Sequence, residues 1–257
     1  MKQFYRNHKD NILIGWFLRL GRFVYRLPYV QKQIRQRRTL NEARYVLDQI
    51  YKDIPIGPYI KEFKNKGLLQ KKFSLGTAGD FDILMLYLLT RIKKPQIVVE
   101  TGVASGRSSS AILEALDENG GGNLFSVDLP KFYEGQPEMY LTEDGRKEHC
   151  GFVPKGKEPG WLVPDKLRKR WSLILGDSKT ELLKLAIRLK RVDIFYHDSD
   201  HSYDAMMSEF QTIWPFIPPG GILLSDDVKG NNAFQDFVKK IKPKFHHDYD
   251  GLGIISK

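Results

Sequence analysis

The sequence is poor in cysteine and lacks an uninterrupted apolar run of membrane-spanning length. Cys150 is the only cysteine among 257 residues, which excludes an internal disulfide and leads us to expect a reducing, cytoplasmic compartment. The early apolar run, near residues 12–18, is about half of the roughly 20 residues that a transmembrane helix requires. No small-residue cleavage site follows it, and no internal repeat is visible. With 41% hydrophobic and 28% charged residues, the composition is that of a folded globular chain.

The net charge of +10 is unevenly distributed along the chain. Residues 1–72 contain 17 Lys and Arg against 5 Asp and Glu, whereas the rest of the chain contains 24 against 26. We therefore expect a basic helical N-terminal extension over residues 1–72 and a nearly neutral main domain over residues 73–257. A nearly neutral domain lacks the broad basic surface typical of phosphate binding, so nucleic acid is not the expected partner.

Residues 11–38 combine an apolar, aromatic segment with basic side chains. Arg19, Arg22 and Arg26 follow helical spacing on one face. Such a helix could lie on a membrane surface as a peripheral contact, or pack on the protein itself or on a second subunit of a homo-oligomer. The sequence leaves these alternatives open.

Two further helices are predicted before the main domain begins to alternate. Thr39 and Glu42 have the spacing of a capping box, which predicts a helix over about residues 40–51. Asp80 can cap a second helix that runs up to Pro95.

After Pro95, short apolar strands alternate with helices of about ten residues, which indicates a mainly parallel sheet covered on both faces. The sequence therefore predicts a doubly wound α/β domain. Strands are predicted at 96–100, 123–127, 172–175, 192–196, 221–224 and near Phe245 and Gly253, and helices at 105–116, 180–189, 203–214 and 232–240.

Residues 131–170 interrupt this alternation with many glycine, proline and charged positions. We predict a structureless insert that follows the second strand at its carboxyl end. Long inserts at that edge of an α/β sheet can cover a ligand site or simply cross the surface. Both interpretations stay open.

Acidic and glycine-containing turns follow three successive predicted strands. The glycines of the first turn permit a tight bend and the close approach of a ligand, and the next helix offers unpaired N–H groups. Their G-x-x-x-G spacing differs from the dinucleotide motif G-x-G-x-x-G. Asp128, about 20 residues beyond, can accept hydrogen bonds from both hydroxyls of a ribose. The candidate cofactor-binding residues are Glu100, Gly102, Ser105, Gly106, Ser108, Asp128, Asp177 and Ser178.

A second polar cluster follows two later strands. Asp198 precedes His201 by three residues, and Asp226 and Asp227 follow the strand at 221–224. If these strands are neighbours, the three carboxylates converge and require a cation, for which Mg²⁺ is the natural candidate. His201 can then act as the base that removes a proton from a substrate hydroxyl, with Asp198 beside it. His197 and Asp200 are expected to be a packed strand residue and a helix cap.

The donor-side motifs, Val99-Glu100-Thr101-Gly102 with Gly106, Asp128 and Gly176-Asp177-Ser178, resemble those of class I S-adenosylmethionine-dependent methyltransferases over residues 75–257. The resemblance implies a Rossmann-like seven-stranded sheet with a reversed final strand. It also implies that the donor's methionine part lies near the glycine turn, its ribose on Asp128 and its adenine near Asp177 and Ser178.

The cluster of Asp198, His201, Asp226 and Asp227 resembles metal-dependent O-methyltransferases of the macrolide sugar type, and methyltransferase family 24 with its cephalosporin-hydroxylase-like relatives. This resemblance implies O-methylation of a hydroxyl on a sugar or natural-product-like small molecule. The catechol branch differs, because it has lysine and asparagine at the positions of His201 and Asp227. An NAD-dependent oxidoreductase, an RNA methyltransferase and a non-catalytic membrane-associated module with the same fold are the alternatives.

Overall fold

The computed structural model of the chain describes residues 37–52, 54–68, 78–133, 139–141, 147–149, 152–154 and 156–257. The chain divides into two compact units, residues 1–45 and 46–257. Residues 1–36, with most of the predicted membrane-contact segment, and the predicted domain boundary at 72 and 73 lie outside the described ranges. No helix within those ranges has the length and apolar character needed to cross a bilayer.

Six of the seven described helices lie close to their predicted positions, whereas α2 (Ile56–Lys66) was not predicted. Residues 37–50 are helical and are called α1, so Thr39 lies inside a helix and its predicted role as the N-cap is wrong. Asp80 is the first residue of α3, and the cap is made instead by Asp82, which accepts a hydrogen bond from Gly79 N at 3.1 Å. The other helices are α2 (Ile56–Lys66), α3 (Asp80–Lys93), α4 (Arg107–Glu118), α5 (Ser178–Leu189), α6 (Tyr203–Ile213) and α7 (Ala233–Ile241).

Seven of the described strands form one mixed sheet in the order β10-β11-β9-β8-β1-β2-β7. The strands are β1 (Ile97–Thr101), β2 (Asn123–Asp128), β3 (Lys131–Tyr133), β4 (Met139–Leu141), β5 (Lys147–His149), β6 (Phe152–Pro154), β7 (Trp171–Leu175), β8 (Ile194–His197), β9 (Ile222–Ser225), β10 (Phe245–Tyr249) and β11 (Leu252–Ser256). Strands β7, β2, β1, β8 and β9 are parallel, and β11 is antiparallel to both of its neighbours. The predicted Rossmann-like fold with a reversed final strand is confirmed.

Alternating side chains of the central strands pack against helices on opposite faces. Val99, Phe195 and Leu223 belong to the hydrophobic core that includes residues of α5, α6 and α7. Glu100, the next residue along β1, bonds to α4 on the other face. The period of two in a strand explains this division. Helix α3 is buried around its whole circumference over residues 81–90, which explains its nearly continuous apolar sequence.

The insert over residues 131–170 contains regular structure, so the prediction of a structureless segment is wrong. Strand β3 pairs in parallel with β6, β4 pairs antiparallel with β5, and Asp165–Arg170 forms a 3-10 helix. Between β6 and this helix the chain returns to the turn after β1. Gly160 N donates to Ala104 O at 2.8 Å, and Leu162 N donates to Ser105 O at 3.0 Å. The insert is therefore anchored on the glycine turn.

Candidate active site

The parallel strands bring both predicted polar clusters to one edge of the sheet. His197 at the end of β8 lies in register with Thr101 of β1 and with Ser225 of β9. Asp198 N donates to Thr101 O at 2.8 Å, and Asp226 N donates to His197 O at 2.9 Å. The predicted adjacency of the strands that end before Asp198 and Asp226 is therefore confirmed. Ligands of open α/β sheets bind at this carboxyl edge.

The glycine turn, residues 102–106, has two glycines in the left-handed region, with φ of 81° at Gly102 and 83° at Gly106. A Cβ atom added at Gly102 would lie 1.8 Å from Asp198 O, and one added at Gly106 would lie 2.7 Å from the Cα of Gly160. The close neighbour of each glycine is the protein's own backbone. Glycine is therefore required here because the turn packs against the Asp198 segment and the insert.

Glu100 is fully buried beneath this turn. Its carboxylate accepts hydrogen bonds from the hydroxyls of Ser108, Ser109 and Ser126 at 2.5, 2.6 and 2.7 Å. Burial raises the pKa of the Glu100 carboxyl to about 7, against the lowering effect of these three hydroxyls. Two of the predicted cofactor-binding residues, Glu100 and Ser108, are thus bonded to each other inside the domain.

Asp128 and Ser105 present unpartnered polar atoms beside the same turn. Asp128 Oδ1 accepts from Val103 N at 3.3 Å, whereas Asp128 Oδ2 is buried and has no hydrogen-bond partner in the described part of the chain. The buried hydroxyl of Ser105 has none either. Burial raises the pKa of the Asp128 carboxyl. Since an unpaired buried acceptor is costly, these atoms fit a ligand that supplies hydroxyl donors, such as the ribose of S-adenosylmethionine.

The turn after β7 contains the last two predicted donor-site residues. Asp177 is the N-cap of α5 and accepts a hydrogen bond from Lys179 N at 2.9 Å. Ser178 is the first residue of α5, and its hydroxyl is one of the groups that lower the pKa of Glu209. Contact of either residue with adenine stays a prediction.

Asp198, His201 and Asp226 form a group that could hold a metal ion. One ligand atom from each lies within 4.8 Å of the others. His201 Nε2 is 3.7 Å from Asp198 Oδ1, and His201 Nδ1 is 3.5 Å from Asp227 Oδ2. Asp227, which we predicted as a third ligand, therefore lies at the edge of this group, where it contacts His201. Its backbone is in the left-handed region, with a φ of 51°.

The acidic side chains of this cluster destabilise one another's charged forms. Burial, followed by the nearby Asp226 and Asp82, raises the pKa of Asp198 well above its ordinary value. Among the described residues, no lysine or arginine forms an ion pair with Asp198 or Asp226. A divalent cation that prefers oxygen ligands fits this set of donors, because it would compensate charges that the protein leaves uncompensated.

Asp82 is a member of the cluster that sequence reasoning missed. It lies on α3 with 1% of its surface exposed, and burial and then Asp226 raise its pKa well above the ordinary value. Tyr196 was missed as well, and its buried hydroxyl donates to Asp198 Oδ2 at 3.3 Å. An acid near the start of an otherwise apolar helix was the available signal for Asp82.

The imidazole of His201 is buried among these groups. Burial, followed by the neighbouring His197, lowers its pKa to about 4. His201 is therefore neutral near pH 7 and keeps a lone pair that can accept a proton. Its Nε2 atom is buried without a hydrogen-bond partner within the described ranges. The neutral imidazole is the form that a base requires, but a pKa this far below neutrality makes it a weak base.

His197 packs as expected inside the sheet, but it also belongs to a polar network. Its Nδ1 lies 2.8 Å from Glu209 Oε2, and its ring lies edge to face with that of His201 at 5.5 Å between centroids. Glu209 was missed by sequence reasoning. Its position four residues after Ala205 and four before Ile213, both buried, could have placed it on the inner face of α6. Asp200 accepts from Ser202 N at 3.0 Å, next to the start of α6.

Comparisons with known proteins agree with this architecture. Residues 99–228 match a family model described as a methyltransferase domain. The ribosomal RNA large subunit methyltransferase E of Methanosphaera stadtmanae is 24% identical over 180 residues, which cover 70% of this chain and 79% of that protein.

Two solved structures of the calicheamicin methyltransferase CalS11 share the fold. One has a TM-score of 0.51 at 17% identity and covers 84% of this chain and 91% of its own. The other, an apo form described as a TDP-rhamnose 3'-O-methyltransferase, has a TM-score of 0.50 at 14% identity and covers 79% and 95%.

Proposed function

Because this chain belongs to the methyltransferase-domain family that residues 99–228 match, and is therefore an S-adenosylmethionine-dependent methyltransferase, we propose that it methylates a hydroxyl oxygen with the help of a divalent metal, Mg²⁺. The acceptor in this proposal is a sugar or natural-product-like small molecule.

The observation that carries the proposal is the contact between the two halves of the site. Asp198 N donates to Thr101 O at 2.8 Å, and Thr101 directly precedes Gly102. The segment that carries the acidic residues therefore lies beside the glycine turn. A donor at the glycine turn and an acceptor at Asp198, His201 and Asp226 would therefore be neighbours. Methyl transfer requires this proximity, because the attacking oxygen must be aligned with the transferred group.

Each residue has a defined role in the proposal. The unpartnered oxygens of Asp128 and Ser105 bind the donor's ribose region. Asp198 and Asp226, with Asp227 at the edge of the group, would hold Mg²⁺, which when bound would supply positive charge that orients the acceptor hydroxyl and favours its deprotonation. His201, neutral near pH 7, removes the hydroxyl proton, and the oxygen then displaces the methyl group from the sulfonium in line.

A sugar hydroxyl is favoured as the acceptor on two grounds. Histidine at position 201 and aspartate at position 227 differ from the lysine and asparagine of the catechol branch. The name of one structural relative, a TDP-rhamnose 3'-O-methyltransferase, describes a sugar acceptor in the same fold.

An RNA acceptor is the second candidate, since one relative is named as a ribosomal RNA methyltransferase and residues 1–72 are strongly basic. The charge balance of residues 73–257, with 24 Lys and Arg against 26 Asp and Glu, counts against it, because this part lacks the broad basic surface typical of phosphate binding.

One experiment tests these proposals together. The full-length protein is incubated with methyl-labelled S-adenosylmethionine and either a metabolite extract or total RNA, with Mg²⁺ or with EDTA. We expect the labelled methyl group to appear in small molecules, bound as an ether that is stable to base. We expect this labelling to disappear when EDTA removes the metal. Label in RNA alone would favour the second candidate, and full transfer in EDTA would contradict the metal requirement. His201→Ala is the negative control.

Compartment and assembly belong to the proposal too. The single cysteine supports a cytoplasmic location, and the basic segment 11–38 supports peripheral membrane contact or self-association. Sedimentation with anionic vesicles, with and without residues 1–38, separates these two: loss of binding upon deletion supports membrane contact, and a concentration-dependent mass without vesicles supports a homo-oligomer.

A further inference from the structure

Glu209 is a buried carboxylate of α6 that none of the roles above uses. Its side chain is 1% exposed, and both of its oxygens are engaged. Oε2 accepts from Thr101 Oγ1 at 2.6 Å and contacts His197 Nδ1 at 2.8 Å, and Oε1 accepts from Ser199 Oγ at 2.7 Å. One carboxylate thus holds these three side chains from two different segments, and the Ser178 hydroxyl at the start of α5 also stabilises its charged form.

The three partners of Glu209 occupy particular places in the site. Thr101 immediately precedes Gly102, the first residue of the glycine turn. His197 and Ser199 are the residues directly before and after Asp198. The carboxylate of Glu209 therefore connects the donor side of the site with both flanks of the acidic residue on the acceptor side.

We propose that Glu209 is a positioning residue that fixes Asp198 relative to the glycine turn; the consequence for methyl transfer rests on the proposed function. Methyl transfer depends on the distance and angle between donor and acceptor, and a misplacement of about 1 Å can cost roughly a hundredfold in rate. A single rigid side chain that holds both sides limits such movement.

The charge of Glu209 strengthens this arrangement. Burial alone would raise its pKa, but the charge and hydrogen bond of His197, with the hydroxyl donors, lower it overall. The ionised carboxylate can only accept hydrogen bonds, and bonds to a charged acceptor are the stronger kind. Because the ionised carboxylate can only accept, His197 Nδ1 is the donor in this contact. Nε2 is buried without a partner in the described part of the chain.

Asp193 provides a matched control, because it is also a buried carboxylate that holds β1 and β8 together. It is 3% exposed and accepts from Gln96 N at 2.8 Å and from Ile97 N at 3.1 Å, at the opposite end of these strands from the site. Asp193→Asn should therefore perturb the same sheet without touching the link between Thr101 and Ser199.

The experiment compares Glu209→Gln with Asp193→Asn in the full-length protein. Four quantities are measured for each variant: amide hydrogen exchange, the affinity for Mn²⁺, the affinity for S-adenosylhomocysteine, and the ¹⁵N spectrum of His197. In Glu209→Gln we expect exchange at the Asp198 amide to rise about tenfold or more, Mn²⁺ to bind about tenfold more weakly, and His197 to shift its proton toward Nε2. The S-adenosylhomocysteine Kd should change less than about threefold, since Asp128 and Ser105 are untouched. Asp193→Asn should instead raise exchange at Gln96 and Ile97 alone.

Unchanged exchange at Asp198 in a folded Glu209→Gln protein would overturn the inference, as would an equal rise at Asp198 in Asp193→Asn. If Glu209→Gln does not fold, Ser199→Ala replaces it, because this change removes one donor and leaves the other two. A rise of about threefold in exchange at Asp198 supports the inference, and no rise overturns it. If the wild-type protein binds no Mn²⁺, the metal part of the proposed function fails, while exchange at Asp198 and the His197 tautomer still decide the role of Glu209.

Discussion

Gly102 and Asp198 are in direct backbone contact, since a Cβ atom added at Gly102 would lie 1.8 Å from the main-chain oxygen of Asp198. This contact joins the turn after β1 to the acidic segment after β8. Any side chain at position 102 must displace one of them, because backbone atoms cannot rotate away as a flexible side chain can.

Gly102→Ala should destabilise the protein by about 4 kcal/mol, the sum of left-handed backbone strain and displacement of the Asp198 segment. Gly120→Ala is the matched control, because Gly120 has a φ of +70° and no atom within 4 Å of an added Cβ. Gly120→Ala should lower the free energy of unfolding only by the backbone strain, about 1–2 kcal/mol. Denaturant unfolding measures both, and equal losses would show that the contact with Asp198 relaxes at little cost.

Asp128→Asn should weaken S-adenosylhomocysteine binding by about 10- to 100-fold, because the ribose hydroxyls would lose a charged acceptor at Oδ2. The bond from Val103 N at 3.3 Å can be kept by the amide oxygen, so the fold should survive. Calorimetric titration measures the affinity. Asp117→Asn, at the surface beside Lys169, is the control and should bind normally. Normal binding by the Asp128 variant would place the donor elsewhere.

His201→Ala should lower methyl transfer by about 10²- to 10⁴-fold, the range expected for loss of a general base. Donor binding should change less than about twofold, because His201 lies on the acceptor side. His246→Ala, an exposed histidine on strand β10, serves as the control and should transfer normally. Turnover of the His201 variant at the wild-type rate, measured with the acceptor that the labelling experiment identifies, would remove this residue from the base role.

Glu100→Gln should change how stability depends on pH. The pKa of Glu100 is about 7 in the folded protein against an ordinary value of 4.5, so its contribution to stability is complete below pH 4.5 and is lost as the pH rises to 7. A neutral glutamine has no such loss. Between pH 4.5 and about pH 8, the variant should therefore gain about 3 kcal/mol relative to wild type in the free energy of unfolding. Parallel unfolding titrations across this range would show no relative change if Glu100 were ionised throughout.

Much of the fold was predictable because helices and strands leave local periodic patterns. The strand predicted at 123–127 is Asn123–Asp128 in the structure, and the helix predicted at 180–189 is Ser178–Leu189. The prediction that Thr39 begins a helix as the N-cap of a capping box failed because this pattern of residue types also occurs inside helices. The prediction that residues 131–170 are structureless failed because the strands in this insert are only three residues long, which is too short to show a hydrophobic period.

The site was predictable only in part. Asp198 and Asp226 each directly follow a strand, so a parallel sheet had to bring them to one edge if their strands were neighbours. Glu100 lies one residue before the end of β1, yet its carboxylate accepts hydrogen bonds from Ser108 and Ser126 within the domain. Which way a polar side chain at the end of a strand turns depends on partners from other elements, and no local pattern records them.

The sequence by itself determined the alternation of strands and helices, the doubly wound sheet and the edge at which the polar residues gather, because hydrophobic period and chain order are local properties. Only the tertiary structure decided that Asp82 joins the acidic cluster from α3, that Glu209 holds both Thr101 and Ser199, and that Gly102 is required by the backbone of Asp198. These contacts join residues far apart in the chain, and their distances depend on strand register and helix packing.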